Sequence, residues 1–277
     1  MHVHPRFIGQ FYGSGMTTAH HVPSWIQLAG AHNVRDLGGL PAGGGTVRPR
    51  VLLRGDNLDS LTTEDIALLR DDVGLRGVVD LRAPFENPKE AEWFPQLGVT
   101  WLHEPLMDFT GLSNQQAMRD RIGNDYTSFY GVMLEGSGAG LARILEFLVS
   151  GPRTPALVHC AAGKDRTGIV TSVLLAVAGV ERDAIVADYL ATEQRIQAVR
   201  EALAQREEYR HLREQAASNQ STGATGSLGS LSLDPRAIIH VLDTVEAAPG
   251  GVAGFLIANG VTQEQIDRWR EMIIEPS

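Results

Sequence analysis

The sequence predicts an α/β fold: a mostly parallel sheet with helices on both faces, plus a helical lid insertion. Three observations carry this expectation. Short apolar runs bounded by Pro or Gly, such as Pro155-Ala156-Leu157-Val158 and Gly77-Val78-Val79, read as buried strands. Stretches of helical spacing separate them, and strands separated in this way pair in parallel under helical layers. The small-residue stretch Cys160-Ala161-Ala162-Gly163-Lys164 follows one strand and runs into the apolar segment Gly168 to Val180, long enough for a buried helix.

The elements follow in order. Order is expected from Trp25, after a flexible leader over residues 1–24, so that one domain covers residues 25–277. Asn33-Val34-Arg35-Asp36 precedes the loose run Pro41 to Thr46; an Arg35–Asp36 contact stapling a turn is the plain reading of it. Val47 to Arg54 reads as a strand. Ser60, Thr62, Thr63 and Glu64 offer caps for the helical run Ile66 to Leu69. Gly77 to Arg82 is a second strand, Glu86 to Trp93 a short helix, and Val99 to Leu106 an alternating third strand. Tyr126 to Leu134 and Leu141 to Val149 have helical spacing, with Gly136, Gly138 and Gly140 breaking them. Past the loop, Ile185, Tyr189, Ile196, Val199 and Leu203 share one helical face. Residues 218–230 are rich in Ser, Gly and Thr and read as a flexible loop. Asp234-Pro235 opens a helix, Gly260 closes one, and Thr262 with Gln265 forms a capping box for the last. Residues 181–250 are expected as the helical insertion over the site.

The totals narrow the classes of function. Hydrophobic content of 43% and charged content of 21% are ordinary for a soluble globular protein. A net charge of -9 argues against nucleic-acid or membrane-surface partners, and any anion site must be positive locally. The one Cys excludes a disulfide framework and fits a reducing compartment, so a cytoplasmic location is expected, with export lacking a classical signal compatible with it. Residues 1–30 hold no long apolar run, hence no expected signal peptide and no stable membrane insertion. His2, His4, His20 and His21 stand in irregular company, and no metal or other cofactor is expected.

The loop carries the chemistry. A helix's first backbone N–H groups lack internal partners, so a strand, a tight loop and a helix start make an anion cradle. Ala161, Ala162 and Gly163 lack bulk and allow the loop to curl around a tetrahedral ligand. Cys160 enters this cradle and Arg166 leaves it. The Gly163-Lys164 pair is not a nucleotide-binding P-loop, since Asp165 follows the Lys where that motif needs Ser or Thr. Cys160, five residues, then Arg166 resembles the signature of cysteine-dependent phosphatases. The fuller string His159-Cys160-Ala161-Ala162-Gly163-Lys164-Asp165-Arg166 is similar to the atypical bacterial tyrosine and phosphoinositide phosphatases, a family with secreted mycobacterial members. Asn33-Val34-Arg35-Asp36, Asp80-Leu81-Arg82 and the Gly260-Val261-Thr262 before the last helix extend the resemblance along the chain.

What the resemblance implies is a protein tyrosine phosphatase-like fold and hydrolysis of phosphomonoesters through a phospho-cysteine, on phosphotyrosine and on a wider range of phosphoserine/phosphothreonine or phosphoinositides. A thiolate at Cys160 would be stabilised by the helix start and by the cations Lys164 and Arg166. Arg166 offers a planar fork for two phosphoryl oxygens. His159 is expected to orient the loop, with a merely packed His as the alternative. Thr167 is expected to place a hydroxyl near the sulfur, with a helix-terminus hydroxyl as the equal alternative. Lys164 with Asp165 is implied to widen substrate range, and a solvated charged pair at a helix start is the plain alternative for these two. For the general acid the choice is Asp108, on the pattern strand, Pro105, two residues, Asp, with Glu104 and Asp125 as alternatives. Asp108 or Asp165 then activates water. A non-catalytic phosphate-binding module is the competing reading, and arsenate reduction is disfavoured by the lack of further cysteines.

Overall fold

The computed structural model describes residues 22–86, 94–106, 125–209 and 233–277. Residues 1–21 of the expected leader, most of the expected helix Glu86 to Trp93, the loop 218–230 and Asp108 lie outside the described residues.

The chain enters through β1 (Ser24–Trp25) and β2 (Arg35–Asp36), an antiparallel pair at the edge of the main sheet. Val47 to Arg54, expected as one strand, forms two. Residues of β4 (Gly45–Val47) pair with β3 (Pro41–Ala42) in a small second sheet, whereas β5 (Leu52–Gly55) enters the main one. The break has a local cause: Pro49 offers no backbone donor, and Arg50 turns through a positive φ of 59°. Helix α1 (Thr63–Ala67), continued by a wider turn through Val73, is capped by Thr62. Asp65 completes that capping box and also accepts from the amides of Ala29 and Gly30 at 2.8 Å, tying the entering chain to the helix start.

Strands β6 (Gly77–Asp80) and β7 (Thr100–His103) follow, then helices α2 (Tyr126–Glu135) and α3 (Gly138–Val149). Gly138 and Gly140 lie inside the first turn of α3 instead of breaking it. Strand β8 (Ala156–His159) leads into α4 (Asp165–Val177), then α5 (Arg182–Ala191) and α6 (Ile196–Ala204). After the next described segment come α7 (Pro235–Glu246), capped by Asp234, α8 (Gly251–Ala258), α9 (Gln263–Ile273), with its Thr262–Gln265 box, and β9 (Ile274–Pro276) beside β4.

The main sheet runs β1-β2-β5-β8-β6-β7, with β5, β8, β6 and β7 mutually parallel. Alternate residues of its strands face opposite cores. Leu52, Val79 and Val158 face a large core built with the helices from α2 to α5 and α7 to α9. Leu53, Val78 and Leu157 face a smaller one closed by Leu58, Leu69, Val73 and Phe94. Both faces being buried explains why these strands read as unbroken apolar runs.

The range 181–250 divides between two jobs. Helices α5 and α7 pack into the large core through Ile185, Tyr189, Ile238, Val241 and Val245. Among the described residues of this range, the stretch from α6 to Tyr209 lies on the loop, where Val199, Leu203 and Tyr209 cluster with Ala161 and Ala162. The expected common face of Ile185 to Leu203 is broken by the tight turn Thr192–Gln194, which redirects the chain. Among the described residues no single helix is long and apolar enough to cross a membrane; α7 and α8 pass together, but meet at 78°.

Candidate active site

The carboxyl ends of β5, β8 and β6 meet at one edge of the sheet, the place where open parallel sheets bind ligands. There the loop from Cys160 to Lys164 links β8 to α4. Its carbonyls are held from outside. Asn57 donates its backbone N–H to the Ala161 carbonyl at 3.0 Å. The Asn33 side-chain amide donates to the carbonyls of Ala162 at 3.0 Å and Gly163 at 3.3 Å. Arg54 adds a bond to Gly163 at 2.8 Å. With three successive carbonyls occupied on the outside, the loop's amides are left for the concave side, beside the positive end of α4. Gly163 has a φ of +66°, and a Cβ there would sit 2.6 Å from the Gly55 carbonyl. Ala161 and Ala162 carry a second constraint that sequence reasoning missed: their methyl groups pack under Val199, Leu203 and Tyr209.

The residues that hold the loop are themselves locked in a buried polar network. Arg35 donates to the Asn33 side-chain oxygen at 2.6 Å and to Asp188 at 2.7 Å, and Arg54 meets the other Asp188 oxygen at 2.6 Å. Burial alone would raise the Asp188 carboxyl, but the two guanidinium groups outweigh it and hold it below the usual range. Burial pulls Arg35 down to about 10. The expected Arg35–Asp36 staple does not form. Asp36 instead accepts from the backbone of Gly38 and Arg50. The motif Asn33-x-Arg35 therefore supports the loop through Asp188, a helix residue that no local pattern singles out.

Cys160 is buried at the mouth of the cradle, and Arg166, on the first turn of α4, lies close enough for a thiolate there to raise the guanidinium's pKa. Arg166 pairs with Glu86, which is buried and which the sequence reading passed over. The closer contact joins Arg166 Nη1 to Oε2, and Nη2 reaches Oε1 at 2.9 Å. Burial pulls the guanidinium down, yet this carboxylate more than compensates, so Arg166 stays charged. Glu86 is lowered in turn: burial raises it, and the hydrogen bond and charge of Arg166 prevail. His159 is fully buried, and burial pushes its imidazole down to about 4 against the pull of Asp80, leaving it neutral at pH 7. A neutral ring beside the Cys160 carbonyl suits an orienting part. Thr167 is buried, and its hydroxyl makes no hydrogen bond among the described residues.

Lys164 is not a solvated rim residue. Its side chain is 1% exposed, with Nζ 4.6 Å from the Tyr126 ring centroid and 3.5 Å from an Asp165 oxygen. Asp165 is partly exposed and accepts from the Tyr130 hydroxyl at 2.7 Å, which is itself 2.7 Å from the Tyr189 hydroxyl. Tyr126 and Tyr130 come from α2, so that helix sets the environment of the Lys164–Asp165 pair. Two of the acid candidates have structural partners. Glu104 is clamped by Arg143 through two bonds of 2.7 Å, and Asp125 caps α2.

Comparison with known proteins follows the same line. A model of the tyrosine phosphatase family matches residues 26–275. A Cupriavidus necator protein, whose name assigns it provisionally to the tyrosine-protein phosphatases, is 34% identical over 66% of this chain and 72% of its own. The triple specificity protein phosphatase PtpB of Mycobacterium tuberculosis is 27% identical over 90% of this chain and 98% of its own. Two solved structures overlap the chain in part. TpbA of P. aeruginosa is 16% identical at a TM-score of 0.38, covering 65% of this chain and 92% of that one. The core catalytic domain of the PP-IP phosphatase SIW14 of S. cerevisiae is 16% identical at a TM-score of 0.36, covering 56% and 75%. The family match, not these partial overlaps, carries the assignment.

Proposed function

The chain belongs to the tyrosine phosphatase family and is a cysteine-dependent phosphatase, and from that premise we propose that Cys160 and Arg166 carry its reaction on phosphotyrosine, with phosphoserine/phosphothreonine and phosphoinositides in its wider range. The observation that carries this assignment is the loop whose carbonyls are pinned outward by Asn57, Asn33 and Arg54. A cradle so fixed needs no rearrangement to meet the equatorial oxygens of a phosphoryl group, and fixed dipoles of this kind lower a barrier most effectively. Lys164, Ala161, Ala162, Gly163 and Thr167 complete the cradle, and His159 supports it from behind.

In the first step the Cys160 thiolate attacks phosphorus as the bond to the leaving oxygen breaks. Asp108 gives that oxygen its proton; Glu104 and Asp125 are occupied elsewhere, which favours Asp108 among the three. In the second step water attacks the phospho-cysteine, with Asp108 or Asp165 taking its proton. The S–P bond breaks, and the thiolate and inorganic phosphate are restored. The Thr167 hydroxyl, without another partner among the described residues, is placed to donate to the departing sulfur. The wider substrate range is supported by PtpB, whose name records triple specificity. One domain spanning residues 25–277, with the stretch around Ile196 to Tyr209 over the loop, is the organisation that serves this reading.

The test is turnover of an aryl phosphate and of a phosphoinositide in parallel, with acid quenching to trap phosphate on Cys160. Wild type should turn over the aryl phosphate and show the trapped adduct. Cys160→Ser should still bind phosphate but do neither. Binding without turnover in wild type would make the loop a phosphate-reading module instead.

A further inference from the structure

We propose that Tyr209 is a positioning residue for Arg166, acting through Glu86; this rests on the phosphatase reading above. Among the described residues, each Glu86 oxygen takes two donors. Oε2 accepts from the Ala83 amide at 2.7 Å and from Arg166 Nη1. Oε1 accepts from Arg166 Nη2 at 2.9 Å and from the Tyr209 hydroxyl at 2.7 Å. The carboxylate is thus fixed from its own turn on one side and from a segment far along the chain on the other. Its plane fixes the plane of the guanidinium, which keeps its remaining N–H donors for the phosphoryl group.

The segment that supplies Tyr209 is anchored for this part. Arg206, three residues earlier, pairs with Asp59 and reaches Ser60 Oγ at 3.1 Å. Asp59 also holds Arg82 at 2.8 Å, just past the end of β6. The turn Glu207–Tyr209 therefore stands on the carboxylates of Asp59 and Glu86, whose side chains are both shielded from solvent, next to the loop. Removing the Tyr209 hydroxyl leaves Oε1 with Arg166 alone among the described residues, so Glu86 either closes further on the guanidinium or swings from it. Both outcomes spoil the geometry that a phosphate meets, while the charge of Arg166 stays beside Cys160. If the ring merely filled space over Ala161 and Ala162, the hydroxyl would be dispensable.

Tyr209→Phe keeps that ring and removes the hydroxyl. In the full chain, KM for an aryl phosphate and the inhibition constant of inorganic phosphate should both rise roughly three- to tenfold, part of one hydrogen bond to a charged group. Alkylation of Cys160 by neutral iodoacetamide should change by less than the phosphate affinity does, because the Arg166 charge stays beside the thiol. In a Glu86→Gln background the same substitution should add nothing, because the link is already cut. A Phe variant with wild-type phosphate inhibition, or an equal loss in both backgrounds, would overturn the proposal. Should Tyr209→Phe fold poorly, Glu86→Gln alone decides: phosphate binding must weaken, and unchanged binding overturns the link. A wild type that neither turns over aryl phosphate nor is protected by phosphate would remove the phosphatase reading itself, whereas the outcomes above bear only on Tyr209.

Discussion

Replacing Asp108 by Asn keeps the side chain's shape and removes its proton. For phosphotyrosine the leaving phenol has a pKa of about 10, so its departure needs protonation. The rate should fall roughly a hundred- to ten-thousand-fold, about 3–5 kcal/mol of barrier. The defect should shrink with more acidic leaving groups in a series of aryl phosphates; a uniform loss would return the role to Glu104 or Asp125. Lys164 calls for a different expectation from a rim residue. Its amine lies against Tyr126 and Asp165 in the interior, so Lys164→Ala disturbs the site for every substrate. We expect losses of about tenfold, near 1.4 kcal/mol, on aryl phosphates and phosphoinositides alike. A loss confined to phosphoinositides would show instead that the amine reaches the headgroup.

At the scale of the element, the loop depends on donors outside it. Asn33→Ala withdraws the amide that holds the Ala162 and Gly163 carbonyls, and leaves Arg35 without one acceptor. The cost should be about 1–3 kcal/mol of stability for the buried groups left unpaired. The phosphate inhibition constant should rise as well, because freed carbonyls can turn inward against the anion. Gly163→Ala should do worse, since a Cβ would meet the Gly55 carbonyl at 2.6 Å and the φ of +66° disfavours it. Protection of Cys160 from iodoacetate by phosphate measures both variants; full protection in either would mean that the cradle does not depend on these contacts.

For the molecule as a whole, the buried ionisable groups set the response to acid. His159 protonates near 6.5 when exposed and only at about 4 in the fold. Between those values the unfolded chain takes up a proton that the folded chain refuses, so stability falls as the pH drops through that window. The full effect, reached below the folded value, is about 3 kcal/mol. Glu86 and Asp188, whose carboxyls are lowered by their arginines, act in the same sense at still lower pH, while Asp56, raised by burial, acts against them. Urea unfolding of wild type and His159→Gln at pH 7 and pH 5 separates these sources. The variant should lose less stability on acidification, and equal losses would assign the effect to the carboxylates.

The strand runs, the tight loop after β8 and the last helix's capping box were legible in the sequence because each is governed by neighbours within a few residues. A buried parallel strand needs apolar side chains on both faces, and Leu157-Val158 and Val78-Val79 show it directly. Thr262 and Gln265 cap each other across one turn, which spacing alone reveals. Cys160, Gly163 and Arg166 sit within one loop and the first turn of α4, so their order along the chain is enough to suggest the chemistry proposed for them. The structure alone decided what holds that loop and its arginine. Asn33 meets Gly163 across 130 residues, Arg35 meets Asp188 across 153, and Tyr209 meets Glu86 across 123. A lone Glu after Pro84-Phe85 or a lone Asp in α5 has no local pattern. Each becomes visible only where folding buries its charge and obliges it to find a partner.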